Sequence, residues 1–281
     1  MQSSVPIWTW QVWQNKPLLT CSLLKQPHGF FTRHFYPDSP EVLVEALVAT
    51  PTASIPVYRV KQVHSGDVMC PSEIVSAIDS ELPLLENGQK SPFPLAFPLA
   101  FPLADGIVSD RAQQSVWACS ADCTPALIED VVTGQVAAVH AGWRGTAQKI
   151  LPIAIARLQA QGSQLTDLRV ALGPAIAGCV YQVGVDVASE IGLTVVNLPL
   201  APEALMETLL AQKNSPLLPD NQPGRVRLDV RRINQMQLEQ MGLDQAQIAI
   251  APHCTYQDPD NFFSYRRSRG KKVQWSGIVS G

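Results

Sequence analysis

The sequence predicts an α+β protein, a single domain of mixed β-sheets flanked by helices. Three observations carry this. Short apolar or alternating runs of strand length recur along the chain, and runs with helical periodicity fall between them without strict βαβ alternation. Of the 281 residues, 46% are hydrophobic, enough to bury one large core. The whole chain, 1–281, is expected as that one domain, with a loop insertion over 71–104.

Residues 7–13 (IWTWQVW) alternate large apolar with polar side chains and read as a half-buried strand, its tryptophans assigned to the core. A second strand is expected over 28–33, ended by Pro37 and Pro40. Residues 41–49 space their apolar side chains as a helix face, after a Ser39-Pro40 start signal. Residues 57–63 read as a strand that delivers His64 just before the turn Ser65-Gly66-Asp67. Residues 71–92 are polar and expected irregular, and 93–104 are three tandem copies of Phe-Pro-Leu-Ala. A proline in every copy excludes a regular helix or a central strand, so the repeat reads as an extended surface segment whose apolar side chains dock on something.

Residues 104–110 and 115–119 read as buried strands. Thr146 is the expected cap of a helix whose buried face is Ile150, Leu151, Ile153, Ala154 and Leu158, bent at Pro152 and ended by Gly162. A strand follows at 168–172, helical sequence over 185–212 with a break near 197–202, and a proline-rich loop over 214–225. Asp229 caps a helix over 230–241 that Gly242 closes. Residues 248–251 form a strand, and 262–265 with 273–279 are expected to pair as a hairpin across the basic turn 266–272.

The formal net charge of −3 leaves no global basic field for nucleic acid or anionic lipid, so anion binding must come from a local site. Of six cysteines only Cys119 and Cys123 lie close in sequence, which favours reduced thiols over a disulfide framework. The first residues lack a basic stretch followed by an apolar one, and no run approaches the roughly 18 apolar residues of a membrane span. A soluble, cytoplasmic protein is expected.

The chemistry concentrates in 119–149, which sets Cys123 and His140 at two ends of a strand-turn-strand pattern. Thiolate and imidazole are zinc ligands, and a catalytic zinc keeps three protein ligands with a fourth position open. A two-residue turn at Thr133-Gly134 would place His140 opposite Leu127 and Cys123 about 14 Å further along an ideal strand. The segment before Pro125 would then have to fold back. His64, also at a strand end beside a glycine turn, is the natural third ligand, although sequence separation does not place it. Each of the three, taken alone, also reads as an ordinary buried or hydrogen-bonded side chain. Arg144, at the start of a helix, and the run Arg266, Arg267, Arg269, Lys271 and Lys272 are candidate phosphate contacts, with solvated surface as the plain alternative.

KQVHSGDV with His64, ADCTPALI with Cys123, AAVHAGWRGT with His140, LGPAIAGCVYQVG with Cys179 and HCTYQDPDNFFSYRR occur in that order, and together they resemble the YfiH-type or laccase-domain family. Its members are labelled multicopper polyphenol oxidase or purine nucleoside phosphorylase. The resemblance spans roughly residues 28–270. It implies a layered YfiH-like fold and a mononuclear metal site, usually described as zinc, held by His64, Cys123 and His140, which are also the catalytic trio. It further implies phosphorolysis of adenosine, inosine, guanosine and methylthioadenosine with phosphate as co-substrate, and deamination of adenosine; Arg144, Arg266 and Arg267 are the candidates in this sequence for holding that phosphate. Three positions depart from the family pattern: Arg33 is followed by His34-Phe35-Tyr36 rather than a glycine pair, Asp186 stands for a glutamate after an inserted Val180, and Gly270-Lys271 replaces Gly-Arg. The alternatives are a copper-dependent phenol oxidase, a Cys123/His140 hydrolase of amide or cell-wall peptide substrates, and a non-catalytic binding protein. Five histidines are few for a multicopper laccase.

Overall fold

The apolar runs form two six-stranded mixed sheets stacked face to face, with helices on the outer face of one. The computed structural model describes residues 7–48, 55–81, 101–196 and 198–281. The first sheet runs β1 (Trp8–Trp13), β2 (Lys16–Cys21), β3 (His28–Phe31), β15 (Gln274–Val279), β7 (Ser115–Ser120), β4 (Val57–Tyr58). The second runs β14 (Ile248–Ile250), β10 (Leu168–Leu172), β8 (Thr124–Asp130), β9 (Val136–Ala141), β6 (Gly106–Val108), β5 (Val68–Met69). Parallel pairs at β4–β7, β10–β14 and β5–β6 sit among antiparallel ones, so the expected α+β class with mixed sheets holds.

Between the sheets Leu19, Phe30, Val116 and Ile278 meet Ile107, Leu127, Ala138 and Ala171. The opposite face of the second sheet packs on α4 (Ile150–Ala160) and α7 (Val230–Met241) through Ile128, Val139, Ile155, Leu158 and Leu238. Every residue of β8 and β9 is therefore buried, and both strands read as continuous rather than alternating apolar runs. A three-stranded sheet, β11 (Gln182–Gly184), β13 (Arg225–Leu228), β12 (Leu217–Pro219), packs with α5 (Val185–Gly192) and α6 (Pro202–Leu210) as a third core cluster.

Local signals held where a cap or a breaker was specific. Asp229 accepts from the backbone N–H of Arg231 and Arg232, and Gly242 ends α7 at φ 104°. Elsewhere packing overrode the pattern. The tryptophans of β1 divide: Trp8 and Trp13 are half-buried against the core clusters, whereas Trp10, on this edge strand, is 39% exposed. The helix expected over 41–49 is one α-turn, α1 (Pro40–Leu43), and a 3₁₀ turn, and residue 49 lies outside the described residues. Thr146 caps nothing; it lies inside a separate helix, α3 (Trp143–Ala147), and its hydroxyl meets Asn234 Oδ1 at 3.2 Å. Pro152 falls in the first turn of α4, where a missing N–H is harmless, and Ile155 rather than Ile153 faces the core.

The irregular stretch expected at 71–92 begins as a helix, α2 (Pro71–Glu81). The first two Phe-Pro-Leu-Ala copies lie outside the described residues. The third is paired at its apolar end: Lys61 N–H donates to Pro102 O (3.0 Å), Ala104 N–H returns to Lys61 O (3.3 Å), and Ala104 is fully buried. Residues 214–225 contain β12 as well as loop. The C-terminal hairpin does not form. Tyr265–Ser268 is a helical turn, α8, while β15 pairs with β3 and β7, since that position buries Ile278 between the sheets. No helix among the described residues is long and apolar enough to cross a membrane.

Candidate functional site

The turn joining β8 and β9 decides the site. Asp130 N–H bonds Gln135 O (2.8 Å), Gly134 N–H returns to Asp130 O (3.0 Å), and the Asp130 carboxylate accepts from the N–H of Val132 and Thr133. The turn is thus two residues longer than expected, and His140 lies opposite Pro125 instead of Leu127. Cys123 is then only two residues past that pair, in a bend over 121–123 just before Pro125. The His140 N–H goes to Asp105 O (2.7 Å), so Pro125 and His140 exchange no ladder bonds and the missing proline N–H costs nothing there.

Asp105, just before β6, was not singled out in the sequence, yet it organises the site. It is 1% exposed. Its carboxylate accepts from the backbone N–H of Val63 (3.0 Å), His64 (3.0 Å) and Ser65 (2.7 Å), and from the Ser65 hydroxyl (3.1 Å). His140 Nδ1 donates to the same carboxylate at 2.8 Å, which fixes the ring and leaves Nε2 for the site. One buried anion therefore positions two histidines. His64 is held at φ 64°, a left-handed conformation that a histidine keeps only when its surroundings impose it. The signal available in the sequence was a carboxylate alone in the apolar run ADGIV.

Cys123 is placed by Asp122, at φ 92°. The Asp122 carboxylate accepts from Thr255 Oγ1 (2.7 Å), Ser264 Oγ (3.0 Å) and Arg266 N (2.6 Å), and so ties the loop before β8 to the C-terminal segment. The ligand atoms of His64, Cys123 and His140 all lie within 4.8 Å of one another, and the two imidazoles meet edge to face at 4.8 Å between centroids. A Cβ on Gly142 would stand 2.8 Å from Cys123 Sγ, so the glycine of His-Ala-Gly-Trp is a space requirement of the cluster.

Burial, the largest single influence, pushes the Cys123 thiol up, but the charges and hydrogen bonds of His140 and His64 together outweigh it and bring it down to about 6. Burial likewise lowers His140, while Cys123 and Asp105 raise it to about 9. Thiolate and imidazolium are the favoured pair when no cation lies between them. One thiolate and two imidazoles, with Asp105 behind one ring, form a donor set suited to zinc or copper. Among the described residues this is the one such group of three metal-ligating side chains. His28 is elsewhere, bonded to Cys21 N and Gln26 O, and His253 packs on Trp10.

The trio floors a cavity of about 250 Å³ whose walls include Gln62, Cys119, Tyr265, Gly270, Lys271 and Lys272. Both polar ends of the Gln62 amide bind the Cys119 peptide, at 2.7 Å each, fixing that wall. Burial pushes the Cys119 thiol up to about 12, so it stays protonated beside Cys123. Behind Cys123 a smaller crevice of about 30 Å³ is lined by Asp122, Gly142, Trp143, Ile176, Tyr181 and Val230. Burial pushes the Tyr181 phenol up to about 12.

None of the three arginines read as phosphate contacts lines the larger cavity, while Arg144 and Arg266 act on Tyr181 of the crevice behind Cys123. Arg144 is exposed, its guanidinium 4.4 Å over the Trp143 ring. Arg266 donates to Gln182 O (2.9 Å) and lies over the Tyr181 ring. Arg267 is spent on three backbone carbonyls, those of Thr255, Tyr256 and Phe262, at 2.6–2.7 Å. Sequence reasoning missed Asp105, Tyr181, Gln62 and Tyr265 as neighbours of the site.

Two stacked mixed sheets thus carry a Cys-His-His donor cluster that lines a cavity. The chain belongs to the family described as multi-copper polyphenol oxidoreductase laccase, matched over residues 40–279. A purine nucleoside phosphorylase of Synechocystis sp. is 51% identical over 277 residues, 98% of this chain and 97% of that one. A protein of an unknown prokaryote named adenosine deaminase RL5 is 29% identical over 148 residues, 53% of this chain and 51% of that one. The crystal structure of YlmD from Geobacillus stearothermophilus shares the fold, with a TM-score of 0.70 at 24% identity over 96% of this chain and 98% of that one.

Proposed function

We propose that this chain is a zinc-dependent purine nucleoside phosphorylase that also deaminates adenosine, with adenosine, inosine, guanosine and methylthioadenosine as its nucleosides. One observation carries the reading: three donor side chains converge on the floor of a cavity in a chain 51% identical to a protein named for that activity. His64, Cys123 and His140 would hold the ion. Zinc supplies Lewis acidity on the open side of the trio. The chain's own residues do the rest: Asp105 keeps the His140 proton on Nδ1, the Asp105-bound turn sets His64, and Gln62 holds the cavity wall. A cytoplasmic setting with reduced thiols fits such a site, because oxidation of Cys123 would remove a ligand.

The copper-oxidase reading draws on the family's description. A multicopper oxidase needs further ligand groups, and the other described histidines that have named partners are engaged away from the trio. The Asp105–His140–Cys123 chain favours a second reading, a cysteine hydrolase with Cys123 as nucleophile and His140 as its base. Metal analysis of the pure protein, with inosine and phosphate turnover compared among wild type, Cys123→Ala and His140→Ala, tests the proposal. Wild type is expected to bind one zinc per chain and release hypoxanthine, and each variant to lose both. Unchanged turnover in the variants ends the proposal; full turnover of amide substrates after chelation selects the hydrolase.

A further inference from the structure

We infer that Lys271 is the phosphate anchor of this cavity, the cation against which inorganic phosphate is held during phosphorolysis; the inference rests on the phosphorylase reading above. The argument follows each charge of the basic run to its partner. Arg266 is on Gln182 O and the Tyr181 ring, and Arg267 on three carbonyls. Arg269 lies over the Tyr265 ring, and Lys272 over the rings of Tyr36 and Phe263. Lys271 alone in the run has no partner among the described residues, and it lines the cavity floored by His64, Cys123 and His140.

Its position follows from the backbone. Arg269 adopts φ 56° at the end of α8, its N–H returning to Tyr265 O at 2.8 Å, and the chain then passes through Gly270 into the cavity wall. Gly270 adds no side chain between Lys271 and the hollow. The other hollow at Cys123 is less suited to the anion: it measures about 30 Å³, and the guanidiniums nearest it, Arg144 and Arg266, lie over the Trp143 and Tyr181 rings of its wall. An ammonium on a flexible stem suits phosphate as a point charge that adapts to a moving anion.

The step balances without any further reactant. An oxygen of HPO₄²⁻ forms a bond to the ribose C1′ as the C1′–N9 bond breaks. The bonding pair leaves on the purine, N9 or its conjugate nitrogen takes the phosphate proton, and ribose 1-phosphate dianion and free base result. Lys271 keeps its proton throughout and offsets charge on the non-attacking oxygens.

Steady-state kinetics of the zinc-loaded enzyme with phosphate varied at fixed inosine, for wild type, Lys271→Gln, Lys271→Arg and Arg144→Met, test the assignment. Lys271→Gln is expected to raise KM for phosphate about tenfold or more, the loss of one charged hydrogen bond. The ratio of phosphorolysis to adenosine deamination, which uses no phosphate, falls with it, and Lys271→Arg restores most of the loss. A merely structural role would lower both reactions together. KM for phosphate within about twofold of wild type in Lys271→Gln, or a rise confined to Arg144→Met, overturns the assignment. Calorimetric titration with inorganic phosphate alone decides the matter independently of turnover: binding that weakens in Lys271→Gln supports the anchor even in a protein that turns over no nucleoside, which would defeat only the phosphorylase reading, and unchanged binding overturns the anchor.

Discussion

The floor and the rim of the cavity hold their charged groups by opposite means. On the floor Asp105 and His140 are 1% and 4% exposed, and Asp105 has a partner for each carboxylate oxygen. On the rim, Lys271 is exposed and unpartnered among the described residues, while its neighbours Arg266 and Arg267 are tied to backbone carbonyls. A buried anion must have every partner built in, because an unpaired one is costly in a low-dielectric interior. A surface cation can be left open, because water serves it until a ligand arrives. The difference separates residues that build the site from residues left open beside it.

Removing the floor's anion should have the largest effect. Asp105→Ala strips three backbone N–H groups and His140 Nδ1 of their acceptor, and is expected to cost about 3–5 kcal/mol in urea unfolding of the metal-free protein. A loss under about 1 kcal/mol would mean that the hub is not one. The same carboxylate gives a pH signature. Burial raises it, but the His140 hydrogen bond and the Ser65 and Val63 N–H groups bring it down from 3.8 to about 2. A depressed carboxylate stabilises the fold fully above its unfolded value and loses that contribution as pH falls through the folded one. The stability difference between wild type and Asp105→Asn should therefore be about 2–3 kcal/mol above pH 4 and shrink toward pH 2. A flat difference across that range would contradict the assignment.

The rim supplies the contrast. Arg267→Met abandons three carbonyl oxygens and is expected to destabilise by about 2 kcal/mol, whereas Lys271→Gln, four residues on, should change stability by less than about 0.5 kcal/mol. Equal effects in thermal melts would erase the distinction between the two.

Much of this was legible beforehand where one residue type answers one physical need. Asp229 and Gly242 bounded α7, the apolar run 168–172 became β10, and the order of five motifs named the three residues that converge. The misreadings share a cause. The β8–β9 turn was assigned two residues because Thr-Gly suits a tight turn, and the Asp130 side chain, which caps a longer one, carries no distinctive pattern. Trp10 in β1 was assigned inward with Trp8 and Trp13 because size predicts burial, yet on this edge strand only the latter two pack against the core. The run 266–272 stood out because charge density is visible in a sequence, whereas the carbonyl partners of Arg266 and Arg267 are not.

The Phe-Pro-Leu-Ala copy that pairs with Lys61 is the last of three identical units. Gain or loss of one unit by slippage during replication returns the same four side chains to Phe101, Pro102, Leu103 and Ala104, and leaves Asp105 next in line. Length between His64 and Asp105 can thus change in steps of four while the carboxylate that orients both histidines keeps its place.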